Sequence, residues 1–328
     1  LYLPSFLRDA LPIFTYLVVF LSLSCLGEIF YICFQIAILL GIARLLVLCG
    51  LALWNRRKNR SVVPPEPDPA ALPVSVLIPA YNEEVVIVAT VERILASDYP
   101  GLDVIVIDDG SKDSTTEVLN ARFGSDPRVT VITIDNAGKA TALNTGLARA
   151  KGEIVVALDA DTLFNRDTIS RLARWFADPH VGAVAGNAKV GNRINTITRW
   201  QALEYIVAQN LERRALAALD TLTVVPGAVG AWRRSVLLGL GGFPLDTLAE
   251  DQDLTIAMQR AGHRGRFDSS AIARTEAPAT VRGLARQRFR WAYGTLQCLW
   301  KYRDVTFNPR YGALGAIAGA AAAVPLVA

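Results

Sequence analysis

Four short apolar runs alternate with segments of helical periodicity, and each run ends in a cluster of polar residues. VSVLI (74–78) leads into PAYNEE (79–84), VIVI (104–107) into DDGS (108–111), VTVITI (129–134) into DNAGK (135–139), and the run within GEIVVALDADT (152–162) into DAD. Helical periodicity fills the gaps over 83–97, 114–123 and 140–150. Strand and helix in strict alternation predict a doubly wound, mainly parallel α/β sheet. Ligands of such sheets bind outside the carboxyl ends of the strands, which is where this chain keeps its polar residues.

The DAD cluster is the most chemically pointed of the four. Residues two apart in extended backbone face the same way, so Asp159 and Asp161 can address one site. Their hard oxygens suit Mg2+ or Mn2+, an ion that takes one or two carboxylates and completes its shell with substrate phosphates. An acidic turn closing a strand reads the same way in isolation; four polar strand ends together do not. Neither GxGxxG nor GxxxxGK[ST] occurs, so a nucleotide here is held by carboxylates and a metal. His180 and His263 are the two histidines, and neither sits in a metal- or nucleophile-like setting, which leaves acid and base work to carboxylates. Cys25, Cys33, Cys49 and Cys298 have no CxxC spacing and read as small hydrophobes. The net charge of +4 forms no basic stripe interleaved with aromatics, which argues against nucleic acid.

Residues 11–53 are apolar apart from Glu28, Gln35 and Arg44, long enough for two closely connected membrane helices. The cationic cluster NRRKNR (55–60) follows and belongs on the cytosolic side by the positive-inside rule. A proline-rich stretch to residue 73 reads as a stiff linker. The chain thus divides into a transmembrane region (1–54), a basic and proline-rich linker (55–73), a globular domain (74–310) and the start of a second transmembrane region (311–328). Residues 1–13 carry no pattern of their own, and a start at Leu1 and an end inside an apolar run read as a piece of a longer protein.

PAYNEE, VIVIDDGSKDST, NAGKATALNTGLARAKGEIVVALDADT, AEDQDL (249–254) and QRFRW (287–291) occur in this order. In combination they resemble the processive inverting family 2 glycosyltransferases, and within them the poly-N-acetylglucosamine, chitooligosaccharide and hyaluronan synthases. The resemblance covers roughly residues 74–311. It implies a GT-A-like fold flanked by transmembrane helices, a UDP-sugar donor, a growing polysaccharide acceptor, a divalent ion and a lipid membrane as partners. Accessory membrane or export subunits are further candidate partners. The place implied is the inner (plasma) membrane, multi-pass, with the catalytic domain in the cytosol.

The resemblance also distributes roles. Nucleotide-sugar binding falls to Pro79, Ala80, Tyr81, Glu83, Asp109, Lys139 and Asp159. Among these, Tyr81 would stack on uracil, Asp109 would accept its imide N–H and Lys139 would face the diphosphate as a point charge. Asp161 would be the principal metal ligand, with Asp159 beside it. Asp251 would be the base and Glu250 its catalytic neighbour; the usual TED reads AED here, a departure at Ala249 that keeps both acids. Gly227, in VVPGAVGAW (224–232), would approach the acceptor closely. Gln287, Arg290 and Trp291 share one helix face by their i, i+3, i+4 spacing and would meet pyrophosphate and sugar. Glu204 and Tyr205 are read as structural.

The reading is a membrane-bound, processive, inverting transferase, with N-acetylglucosamine from UDP-GlcNAc as the expected sugar. Its rivals are a non-processive UDP-sugar transferase acting on a lipid, a non-catalytic nucleotide-binding subunit, and a membrane-tethered scaffold.

Overall fold

The computed structural model describes residues 5–60, 72–305 and 307–315. Most of the proline-rich linker and of the C-terminal apolar stretch lie outside the described residues. The chain forms two compact units, residues 1–50 and residues 51–328.

One helix, α1 (Ser5–Arg60), runs through the stretch that the hydropathy pattern divides in two. Residues 13–60 contain no proline to break it, and a helix keeps its backbone satisfied without a connecting turn. Ser24–Arg57 is apolar and long enough to cross a membrane.

In the second unit, β1 (Val74–Ala80), β2 (Asp103–Asp108), β3 (Val129–Thr133) and β4 (Ile154–Ala157) form from the four apolar runs. β1 pairs β2 and β4 in parallel, and β2 pairs β3 in parallel. The helices between them are α2 (Ile87–Leu95), α3 (Thr115–Phe123) and α4 (Lys139–Arg149). The second half of the chain adds β5 (Leu163–Phe164), α5 (Thr168–Ala173), β6 (Val181–Val190), α6 (Thr196–Ile206), α7 (Arg213–Ala218), β7 (Gly230–Arg233) and α8 (Arg234–Gly239). It closes with α9 (Glu250–Arg260), β8 (Arg264–Thr275) and α10 (Val281–Lys301). The sheet order is β3-β2-β1-β4-β7-β6-β8-β5. β7 is antiparallel to β4 and β6, β5 is antiparallel to β8, and β6 is parallel to β8. The sheet is therefore mixed in its second half.

Alternation along the central strands builds two cores. Val76, Ile78, Val104, Val106, Ile154 and Val156 meet Ile87, Val91 and Ile94 of α2 and Leu119 of α3 on one face. Leu77, Ile105, Ile107 and Val155 meet Leu143 and Leu147 of α4 and Leu254 and Met258 of α9 on the other. Residues of successive parity feed opposite faces, which is what doubly wound means at the level of side chains. Both layers leave the carboxyl ends of β1, β2 and β4 open, and the polar motifs gather there.

Candidate active site

The loops after β1 and β2 lock together. Asn82, in left-handed backbone, accepts from the Lys112 amide at 2.8 Å, and its own amide donates to Ser111 Oγ at 2.9 Å. The Glu83 amide donates to Thr115 Oγ1 at 2.9 Å. Asp108 is buried and accepts from the Ser111 amide and hydroxyl at 3.0 and 2.5 Å, so it shapes the turn. Gly110 has φ +71°, and a Cβ there would stand 2.7 Å from the Asn136 amide nitrogen, so the turn needs glycine. Asp109 points into the next loop, where its two oxygens accept from the Ala137 and Gly138 amides at 2.8 and 2.9 Å. Each oxygen keeps a further lone pair. Tyr81 is exposed at the end of this wall, after Pro79 and Ala80, the last residues of β1.

That same loop delivers Lys139 as the first residue of α4. Lys139 Nζ donates to Asp159 Oδ1 at 2.6 Å and lies 3.3 Å from Glu250 Oε1. Burial works against its charge, but Asp159 and Glu250 outweigh it and hold Lys139 above the usual lysine range. A Cβ on Gly227 would stand 2.7 Å from Lys139 Nζ, so glycine leaves this ammonium room. The Gly227 amide in turn donates to Asp251 Oδ2 at 3.2 Å, and the Gln252 amide to Asp251 Oδ1 at 2.8 Å. Burial and then Glu250 push Asp251 above the usual carboxylate range, against Lys139 and those two amides. Motifs more than 100 residues apart thus meet around one ammonium and one backbone amide.

A second acidic group faces the first. Burial, then Asp159 and Glu276, raise Asp161 to about 6. Burial, then Asp161 and Glu276, raise Glu83 to about 7. Crowded carboxylates resist sharing negative charge, and a cation relieves them. Among the described residues no three such side chains close around one point as a protein-only metal cage. The set fits an ion held by one or two carboxylates that takes its remaining ligands from phosphate. Glu276 was not expected. It follows the last residue of β8, so its position at a strand end was the available signal, but nothing local ties it to Asp161.

α10 carries Gln287, Arg290 and Trp291 as one helix predicts. Gln287 Oε1 is buried without a hydrogen-bond partner, and Arg290 is exposed. Trp291 packs against Val190, Ala202, Tyr205 and Ala277, and the Arg288 guanidinium lies 4.5 Å over its ring. Arg288 also donates to Glu204 Oε2 at 2.5 Å. Glu204 and Tyr205 therefore seat α10 on α6, and a sugar would find the Arg288 side of the indole occupied. No hydrogen bond joins Gln287, Arg290 or Trp291 to the acids among the described residues; the link between them is helix packing. A Cβ on Gly294 would stand 2.7 Å from Ala249 Cβ and 2.9 Å from the Ala249 nitrogen, just before the first turn of α9.

Comparison with known proteins bears on the family and the fold. The family profile "Glycosyltransferase like family 2" matches residues 69–294. A poly-beta-1,6-N-acetyl-D-glucosamine synthase of Staphylococcus aureus is 30% identical over 222 residues, covering 67% of this chain and 54% of that protein. An N-acetylglucosaminyltransferase of Rhizobium meliloti is 34% identical over 238 residues, 68% of this chain and 56% of that protein. The chain spans about half the length of these curated relatives. Among solved structures, a mannosyltransferase of Pyrobaculum calidifontis in complex with GDP-Man and Mn2+ superposes with a TM-score of 0.62 at 30% identity, covering 87% of each chain.

Proposed function

Because the chain belongs to the family 2 glycosyltransferases, we propose that it transfers N-acetylglucosamine from UDP-GlcNAc to a growing β-linked polysaccharide, with inversion at the sugar. The observation that carries the reading is the junction of Lys139, Asp159, Glu250, Gly227 and Asp251 around one point. N-Acetylglucosamine is the sugar named for the curated relatives, and the family profile spans every motif of that junction.

The chemistry follows from the side chains. Asp251 accepts the proton of the acceptor hydroxyl, and the freed oxygen attacks the anomeric carbon on the face opposite the diphosphate. The bond from that carbon to the diphosphate oxygen breaks, and UDP leaves with the electron pair. Lys139 sits where negative charge grows on the leaving group. Asp161 and Asp159 would hold a divalent ion, which supplies Lewis-acid stabilisation of the departing diphosphate. The Gly227 and Gln252 amides each fix one oxygen of Asp251, and each oxygen keeps a further lone pair for the acceptor proton. Tyr81 and Asp109 frame the uracil, while Gln287, Arg290 and Trp291 border the acceptor end. α1 anchors the enzyme in the plasma membrane as part of a multi-pass protein, with the catalytic domain in the cytosol.

A second reading has its own support: the mannosyltransferase superposes over 87% of each chain and was solved with GDP-Man. A single transfer from a GDP-sugar to a lipid is its counterpart here. The deciding experiment uses the full chain reconstituted in membranes, with Mg2+, Mn2+ or chelator. Nucleotide release is measured from UDP-GlcNAc, UDP-glucose, UDP-glucuronate and GDP-Man, and the products are sized. Release from UDP-GlcNAc with a long product is expected. Release from GDP-Man with one sugar added would establish the second reading, and nucleotide binding without release would make the chain a binding subunit.

A further inference from the structure

Arg213 is 5% exposed, yet its guanidinium makes one hydrogen bond among the described residues, from Nη1 to the Gly186 carbonyl at 3.5 Å. That length is at the outer limit for such a bond. A guanidinium has five donors, and burying it so sparsely is costly unless an opposite charge compensates.

The chain takes a special step to put it there. α6 continues through Val207–Glu212 as a π-helical turn, and α7 opens on Arg213. A π-turn adds a residue to the helical path and rotates the residues beyond it by about 100° around the axis. The buried side chains after it are Arg213, Ala215, Ala217 and Ala218, one cation among alanines.

The carbonyl that Arg213 holds leads to the base. The Gly186 amide donates to the Val229 carbonyl at 2.9 Å, and the Val229 amide donates to the Pro226 carbonyl at 3.1 Å. Next to Pro226, the Gly227 amide donates to Asp251 Oδ2. A Cβ on Gly186 would collide with Val229 and with the Ala271 carbonyl, so strand and loop are in close register. The charged and titratable groups that interact with Asp251 are Glu250 on its own helix, Lys139 from α4, Cys298 from α10 and Arg213 from α7, and Arg213 also faces Tyr205 and Glu212. Lys139 is shared with Asp159 and Glu250. Burial lowers Arg213 to about 10, and Asp251 is the first group that opposes this.

We propose that Arg213 is a positioning residue for Asp251: it holds the Gly186 carbonyl that leads through Val229 to the Gly227 loop, and it sets a buried positive charge against the recessed carboxylate. The proposal rests on the reading of Asp251 as the base. Lys139 is committed to the donor side of the junction through Asp159 and Glu250, and Arg213 adds a second positive charge toward Asp251.

The test compares wild type, R213Q, R213K and D251N as full chains in membranes, with the nucleotide sugar that the wild type turns over. Transfer rate is followed from pH 5 to 9, and donor affinity is measured beside it. Glutamine keeps a donor for the Gly186 carbonyl and loses the charge; lysine keeps the charge. R213Q should bind donor like wild type and move the acid limb of the rate profile up by about one pH unit, a loss of about tenfold below it. R213K should keep the limb near its wild-type position. A limb unmoved in R213Q, or an equal loss at every pH in both variants, would overturn the proposal and leave Arg213 a structural residue. D251N separates the premise: if it transfers sugar at the wild-type rate, Asp251 is not the base, whatever Arg213 does.

Discussion

Lys139 Nζ lies 2.6 Å from Asp159 Oδ1, which joins the start of α4 to the acidic end of β4. The same ammonium reaches Glu250 at the start of α9, so three motifs share one cation. K139M keeps most of the stem and removes the charge, leaving Asp159 and Glu250 unrelieved and the diphosphate side without its lysine. Transfer should fall by about 100-fold or more, in the range for losing one preorganised electrostatic contact. Nucleotide release assays measure this; K139M turning over at the wild-type rate would remove Lys139 from the chemistry.

Glu83 at about 7 and Asp161 at about 6 predict a pH dependence of stability. Both lie above their ordinary values of 4.5 and 3.8, so between about pH 4 and 7 the folded chain holds more protons than the unfolded one. Without a divalent ion, these two groups therefore withdraw stability as the pH rises through that window. Thermal unfolding in chelator should come at a higher temperature at pH 5.5 than at pH 7.5, and E83Q should flatten the difference. Mn2+, which binds the ionised forms, should raise the midpoint more at pH 7.5 than at pH 5.5. An E83Q profile that tracks wild type would show that Glu83 does not carry the effect.

Gly294 predicts a packing penalty. Alanine favours a helix interior over glycine by about 1 kcal/mol, but at Gly294 the new methyl meets the Ala249 Cβ and backbone nitrogen, which cannot swing aside. Overpacking of this kind costs about 1–3 kcal/mol, so G294A should be destabilised and, because α10 shifts against the start of α9, should transfer more slowly. G239A, at the end of α8 with open space around it, is the control and should be neutral or slightly stabilised. Equal midpoints for the two variants would contradict this packing.

How much of the fold and site was legible in the sequence depends on where each signal lies. β1, β2 and β4 announce themselves because both their faces are buried, which demands unbroken β-branched and aliphatic runs, and β3, at the sheet edge with Thr130 and Thr133 exposed, shows by its β-branched residues alone. β6 is VGAVAGNAKV and β8 is RGRFDSSAIART, one too rich in small residues and the other too polar to stand out; β5 and β7 are too short for any period to show. The site residues at strand ends were readable because topology places them. Glu276 and Arg213 were not, since one depends on a pairing across the sheet and the other on a π-turn that no local pattern marks. Trp291 was expected to share a helix face with Gln287 and Arg290, but its packing against Tyr205 and its Arg288 partner, three residues before it, were not foreseen.

The last prediction concerns what keeps α10 on the catalytic helix. Asp253, 1% exposed, accepts from Tyr302 Oη at 2.5 Å, from Lys301 Nζ at 2.8 Å and from Thr247 Oγ1 at 2.9 Å. It stands two residues beyond Asp251, so the end of α10 is clamped to the first turn of the helix that carries the base. D253A strips all three donors of their acceptor at once. Lys301 keeps Asp246 at 2.8 Å and some solvent, which places the cost near the lower end of the range for breaking a buried pair, about 3 kcal/mol. Y302F removes one hydrogen bond to a charged group and should cost about 1.5–3 kcal/mol. D246A breaks only an exposed ion pair and should cost about 0–1 kcal/mol. Unfolding midpoints should fall in the order D253A, Y302F, D246A, and transfer should fall in the same order, because a loosened α10 also releases Gly294 from Ala249. If D246A proved as damaging as D253A, the exposed pair rather than the buried carboxylate would be what fastens α10 to α9.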